Sequence, residues 1–214
     1  MSTDTNTTLL YSQNVLEFVT VTAETCLFLE NASAHERTEF IEKALKILPL
    51  LYLKTAMLPE TEEVLEELPE QFVTESAYEQ IRNSIAGLLG TADDYLEVFT
   101  QGIEYSEEGV KASVSEDLAD VYQDLKNFIS AYQIGNEEVM NDALYYCTLS
   151  FREYWGQKLL NGLRALHAAF YSPQENDDSN DSAPAQGNKE RLLKHLHTEW
   201  QDEFIDSLPD DDEF

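Results

Sequence analysis

From about Leu9 to Tyr171, large apolar residues recur at three- and four-residue steps, and this periodicity restricts the chain to packed helices. In the first segment Val15, Phe18, Val19, Thr22, Cys26 and Leu29 share one face, and Asn31 and Ser33 close it. A second, from about His35, aligns Phe40, Ile41, Ala44, Leu45 and Leu48. Pro49 has no N–H to donate and its ring crowds the preceding turn, so a kink or break is expected before Leu50-Leu51-Tyr52-Leu53. The acidic run Pro59 to Pro69 reads as a short solvated helix or a loop. Thr74 opens a helix carrying Tyr78, Ile81, Ile85 and Leu88 to its stop at Gly90, and a further helix is expected around Asp93 to Ile103.

The two best-patterned helices come next. Ser113 and Glu116 stand three apart as a capping box, opening a helix with Leu118, Val121, Tyr122, Leu125, Phe128, Ile129 and Tyr132 on one face. Gly135-Asn136 ends it. A long helix from about Glu137 to Tyr171 carries Met140, Leu144, Cys147, Phe151, Trp155, Leu159, Gly162 and Leu166, with Leu149, Leu160 and Leu163 widening the face. A helix apolar over so much of its circumference is expected at the centre of a bundle. With only 8 Gly and 6 Pro, the chain lacks the turn chemistry of a sheet protein. The reading is all-α: a bundle of about six helices over residues 9–171.

Residues 172–188 hold no large apolar side chain and read as a disordered linker, spanning roughly 20–25 Å as a flexible chain. Over 189–208, Leu192, Leu196, Trp200 and Phe204 make an apolar stripe on an amphipathic helix, followed by an acidic tail over 209–214. A tethered stripe of this kind suits docking into a groove, on a partner or on the chain's own bundle.

The 42 Asp and Glu against 13 Lys and Arg leave a formal net charge of -29. Thirteen of those acids and three of those bases lie from Ser172 onward, so body and tail are both acidic. Such a field repels phosphate backbones and anionic lipid, and direct nucleic-acid or membrane binding is not expected. It suits a basic partner or a cation held by carboxylates. The polar start Met1 to Thr8 lacks the basic and apolar pattern expected of a secretory leader, and the most apolar stretch, Ala44 to Leu58, is interrupted by Lys46, Pro49 and Lys54. Cys26 and Cys147 form no metal-binding spacing. A reducing cytoplasm is the expected location.

Asp117, Asp120 and Asp124 fall on one flank of their helix, where three carboxylates within mutual reach would suit a hard divalent cation. Lys158 lies inside the apolar arc with Phe151 and Trp155, so its ammonium must snorkel or pair, with Asp117 or Asp124 the natural partner. With Arg152 and Arg164, these residues define a candidate polar pocket between the two helices. The structural alternative, an internal ion-pair network that sets helix register, is the favoured reading. Other signatures fail. Glu62-Glu63-Val64-Leu65-Glu66 lacks the second acidic pair of all-α nucleotide pyrophosphohydrolases, and Asp93-Asp94-Tyr95-Leu96-Glu97 lacks the second metal motif of terpenoid synthases. None of the four histidines follows a Glu at the spacing of di-iron bundles. No nucleophile context or phosphate-binding glycine loop is present, and no cofactor is expected.

The strings Ser115-Glu116-Asp117-Leu118-Ala119-Asp120-Val121-Tyr122-Gln123-Asp124-Leu125 and Tyr154-Trp155-Gly156-Gln157 with Leu163-Arg164-Ala165-Leu166-His167 resemble a bacterial family known as domain of unknown function 5063. Phe18-Val19-Thr20-Val21, Leu51-Tyr52-Leu53-Lys54 and Tyr95-Leu96-Glu97-Val98-Phe99 add weaker likeness, and the resemblance spans Val15 to Phe170. It implies an all-α fold and carries no catalytic role. The expectation is a non-enzymatic, acidic interaction module that engages a basic or grooved protein partner. The alternative is an enzyme or ligand-binding protein using the polar or metal-binding pocket.

Overall fold

The computed structural model describes residues 9–65, 68–97 and 110–172. They form an all-α bundle with one small strand pair. In chain order the elements are α1 (Gln13–Glu30), α2 (Arg37–Ala56), α3 (Glu75–Leu89), β1 (Asp94–Glu97), β2 (Val110–Ser113), α4 (Val114–Gln133), α5 (Glu137–Ser150) and α6 (Gly156–Tyr171). A five-residue π-helical turn, Phe151–Trp155, joins α5 to α6, so the expected long helix is continuous but locally widened by one extra residue.

Local chemistry sets the boundaries. The Thr74 hydroxyl accepts from the Ala77 N–H at the start of α3. Asn136 accepts from the Glu138 and Val139 N–H groups at the start of α5. Such caps are worth about 1 kcal/mol each. Gly90 and Gly135 take positive φ, 57° and 78°, where a side chain would be strained, and they close α3 and α4.

Two expectations are corrected and a third is narrowed. Of the kink or break expected at Pro49, the break does not occur, since α2 runs through Pro49 to Ala56. Pro49 itself is exposed, so water can reach the carbonyl it leaves unpaired, while Leu48 and Leu51 on either side are fully buried. In its described part, the helix expected around Asp93 to Ile103 is instead a strand over Asp94–Glu97, paired antiparallel with Val110–Ser113, and residues 98–103 lie outside the described ones. Asp93 explains this: its backbone carbonyl accepts from the Val114 N–H, and its carboxylate accepts from the Ser115 N–H and hydroxyl, both at 2.7 Å. That residue caps α4 and so cannot begin a helix of its own. Finally, α4 holds the centre, packing against α1, α3, α5 and α6, and the two halves of the long helix flank it.

Fully buried Phe18, Phe40, Leu118, Leu125 and Trp155 anchor the core. Each such side chain contributes about 1.5–3 kcal/mol by leaving water. Phe18 and Phe128 join α1 to α4 with ring centroids 5.0 Å apart. The segment after α2 has no regular structure over Pro59–Val64 and is strapped to the bundle by side chains. The Asp142 carboxylate accepts from the Val64 and Leu65 N–H groups at 2.8 and 2.7 Å, and Asn141 donates to the Glu62 carbonyl. The Asn127 side-chain oxygen accepts in the same way from the Phe72 and Val73 N–H groups. No helix among the described residues is long and apolar enough to cross a membrane. Apart from Ser172, the expected linker over 172–188, helix over 189–208 and acidic tail over 209–214 lie outside the described residues, as does the stripe Leu192, Leu196, Trp200 and Phe204.

Candidate functional site

The first turn of α4 points Asp117 at α6. Asp117 is 1% exposed, and its carboxylate meets the Lys158 ammonium at 3.2 Å on one oxygen and the Tyr95 hydroxyl on the other. Three residues on, Asp120 accepts from the Tyr78 hydroxyl at 2.8 Å and the Tyr154 hydroxyl at 2.7 Å, with Lys158 at 3.7 Å. The Lys158 ammonium also lies 5.8 Å from the Tyr154 ring centroid, within cation–π range. One network therefore ties α3, β1, α4 and α6 together, and every oxygen of both carboxylates has a partner.

Burial dominates its electrostatics. It pushes the Asp117 carboxyl up to about 6, against the Tyr95 hydrogen bond and the Lys158 charge, with Asp120 adding to the rise. The Tyr78 and Tyr154 hydroxyls are also raised, first by burial and then by donation to Asp120, so they stay protonated donors.

The other expected members lie elsewhere. Asp124 hydrogen-bonds to Ser150, is pushed up to about 6 by burial, and borders a separate small cavity with Asn127 and Cys147. Arg152 reaches outward to Glu60 at 3.5 Å. Arg164 donates to the Leu96 carbonyl at 3.1 Å, holding β1 against α6 without joining the carboxylates. The three aspartates do not converge, and among the described residues no group of three or more His, Cys, Asp or Glu is disposed to hold a metal ion. Arg152 and Lys158 are six residues apart, which puts them on different sides of the helix. Sequence reasoning misses the tyrosines because Tyr78 reads as part of an apolar stripe. A tyrosine at the margin of such a stripe carries a hydroxyl that seeks a partner when buried, and that is the available signal.

A second feature is a groove of about 610 Å³ between α1 and α2. Leu27, Phe28, Ile47 and Leu50 line it, together with the polar side chains of Glu24, Asn31, His35, Lys43 and Lys46. Leu27 is 53% exposed and Leu50 42% exposed. Phe28 is held in place by stacking on Phe40, centroids 4.8 Å apart. The sequence carries a hint: four consecutive apolar residues, Leu50 to Leu53, cannot all face inward on one helix.

The family model described as "Domain of unknown function (DUF5063)" matches residues 10–172, the stretch holding both features. The crystal structure of protein BF1032 from Bacteroides fragilis is similar at 48% sequence identity, covering 78% of this chain and 99% of that one, with a TM-score of 0.71. No curated protein matches the chain.

Proposed function

The chain belongs to the DUF5063 family, which is defined by no activity, and from that premise we propose that it is a non-enzymatic interaction module docking a protein in the α1–α2 groove. The observation that carries this reading is the exposure of Leu27 and Leu50 over a preformed apolar furrow, a surface that gains free energy only when covered. The polar cluster supports the same reading by its completeness. Asp117 and Asp120 already have partners on every oxygen, which favours a role in fixing helix register over a ligand-binding or metal-binding pocket. A cytoplasmic location, a basic or grooved second partner and a partner-binding role for Leu192, Leu196, Trp200 and Phe204 belong to this proposal.

The test is affinity capture from the native cytoplasm with three baits: the wild-type chain, a Leu27→Asp/Leu50→Asp variant, and a chain lacking residues 189–214. Proteins retained by wild type and lost by the groove variant support the reading. An identical set on both sinks it. A set lost only on deleting 189–214 moves the contact to the C-terminal stripe.

A further inference from the structure

We propose that the α1–α2 face docks a second copy of this chain, the two helix pairs packing on each other about a two-fold axis. This inference rests on the interaction-module reading and names the partner. Cross-contacts fix the pair as antiparallel. Asn14 and Glu17 near the start of α1 meet the Met57 carbonyl and Lys54 at the end of α2, and Phe28 near the end of α1 stacks on Phe40 near the start of α2.

Outward, this pair presents large apolar side chains. Leu16 and Leu27 of α1 are exposed, and a separation of eleven residues puts them on the same side of the helix. On the neighbouring helix Leu50, Leu53 and Met57 are exposed within an arc of about 60°. Thr20, exposed between the two α1 leucines, donates its hydroxyl to the Leu16 carbonyl at 2.8 Å and so demands no partner across an interface. Helices of 18 and 20 residues are about 27 and 30 Å long and pack about 10 Å apart. A face two helices wide therefore offers roughly 550 Å² per copy, and about 1,100 Å² over two copies reaches the range of specific interfaces.

Charge selects the second copy. A two-fold interface sets one surface against itself, so a face of strong net charge is excluded from it. In a chain with 42 acids and 13 bases, α1 and α2 together hold five acids and four bases, and nearly all of the excess lies elsewhere. Glu39, Glu42 and Glu17 already neutralise Lys43, Lys46 and Lys54 within the same copy, so covering the face leaves none of these ammoniums unpaired. A strongly basic partner is drawn instead to the acidic faces, and a strongly acidic one finds no unpaired cation here. Two apolar, charge-balanced helix pairs meeting face to face make a four-helix arrangement in which each stripe covers the other.

The experiment is sedimentation velocity on the full chain between about 1 and 200 µM. A dimer is expected. It should tighten as salt rises from about 0.05 to 0.5 M, because salt screens the repulsion between two acidic chains and leaves the apolar contact in place. Leu27→Asp/Leu50→Asp is expected to weaken it at least about a hundredfold. Thr20→Arg, at an exposed site, is expected to do the same, with the helical circular dichroism of both variants unchanged.

A monomer at every concentration overturns the inference. So does a dimer that either variant keeps, one that loosens with added salt, or one lost on deleting residues 189–214. The interaction-module reading fails separately. It survives a monomer whose captured proteins are lost from the groove variant, and it falls with a monomer whose captured set is unchanged.

Discussion

The Asp117 carboxylate and the Lys158 ammonium meet at 3.2 Å across the α4–α6 interface. Lys158 sits within an apolar arc, where an unpaired charge is costly, and Asp117 is almost wholly buried.

The pair has a pH signature. Asp117 rises from its ordinary 3.8 in the unfolded chain to about 6 in the folded one. The folded state therefore binds more protons between those values, and the Asp117 contribution to stability falls as pH rises through 6. Asp117→Asn removes this slope. Its unfolding free energy relative to wild type should climb from pH 4 to pH 7 by on the order of 3 kcal/mol. Urea titrations across that range measure it, and a flat difference would refute the assignment.

Gly156 comes directly after the π turn, and a Cβ there would collide with the Phe151 carbonyl oxygen and crowd its ring. The Phe151 carbonyl accepts from the Gly156 N–H, the bond that closes the turn. Gly156→Ala should lower stability by about 1–3 kcal/mol, because the backbone must open to relieve the overlap. Chemical denaturation checks the size, and a neutral result would mean that the turn relaxes without cost.

Asp142 is 2% exposed and grips two successive backbone N–H groups of the segment after α2. Asp142→Ala should cost about 2–4 kcal/mol, since both charge-assisted bonds are lost. Hydrogen exchange locates the effect. The Val64 and Leu65 amides should lose protection in the variant while the core of α4 keeps its own.

Cys26 is buried, and burial pushes its thiol up to about 12; burial likewise holds the Cys147 thiol well above its ordinary range. Both should resist alkylation at pH 8 in the native protein, at least about a hundredfold more slowly than in urea, because the thiolate is the nucleophile. Rapid labelling of either native thiol would contradict the packing around it.

Sequence by itself determined what local rules control. Apolar spacing placed the helices, Ser113 faced Glu116 as a cap, and Gly90 and Gly135 closed helices where positive φ was needed. Strings around Asp117 and Trp155 carried the family. Tertiary structure alone decided which distant groups meet. Lys158 takes Asp117 and Asp120 and leaves Asp124 to Ser150. Tyr78, Tyr95 and Tyr154 complete that cluster from three different elements, Asp93 gives up its own helix to cap α4, and Pro49 passes through α2 on its solvent side. The physical reason is range. A cap or stripe is decided within one or two turns, whereas a cross-helix pair depends on the rotation of whole helices, and one extra residue in the π turn shifts that rotation by about 100°.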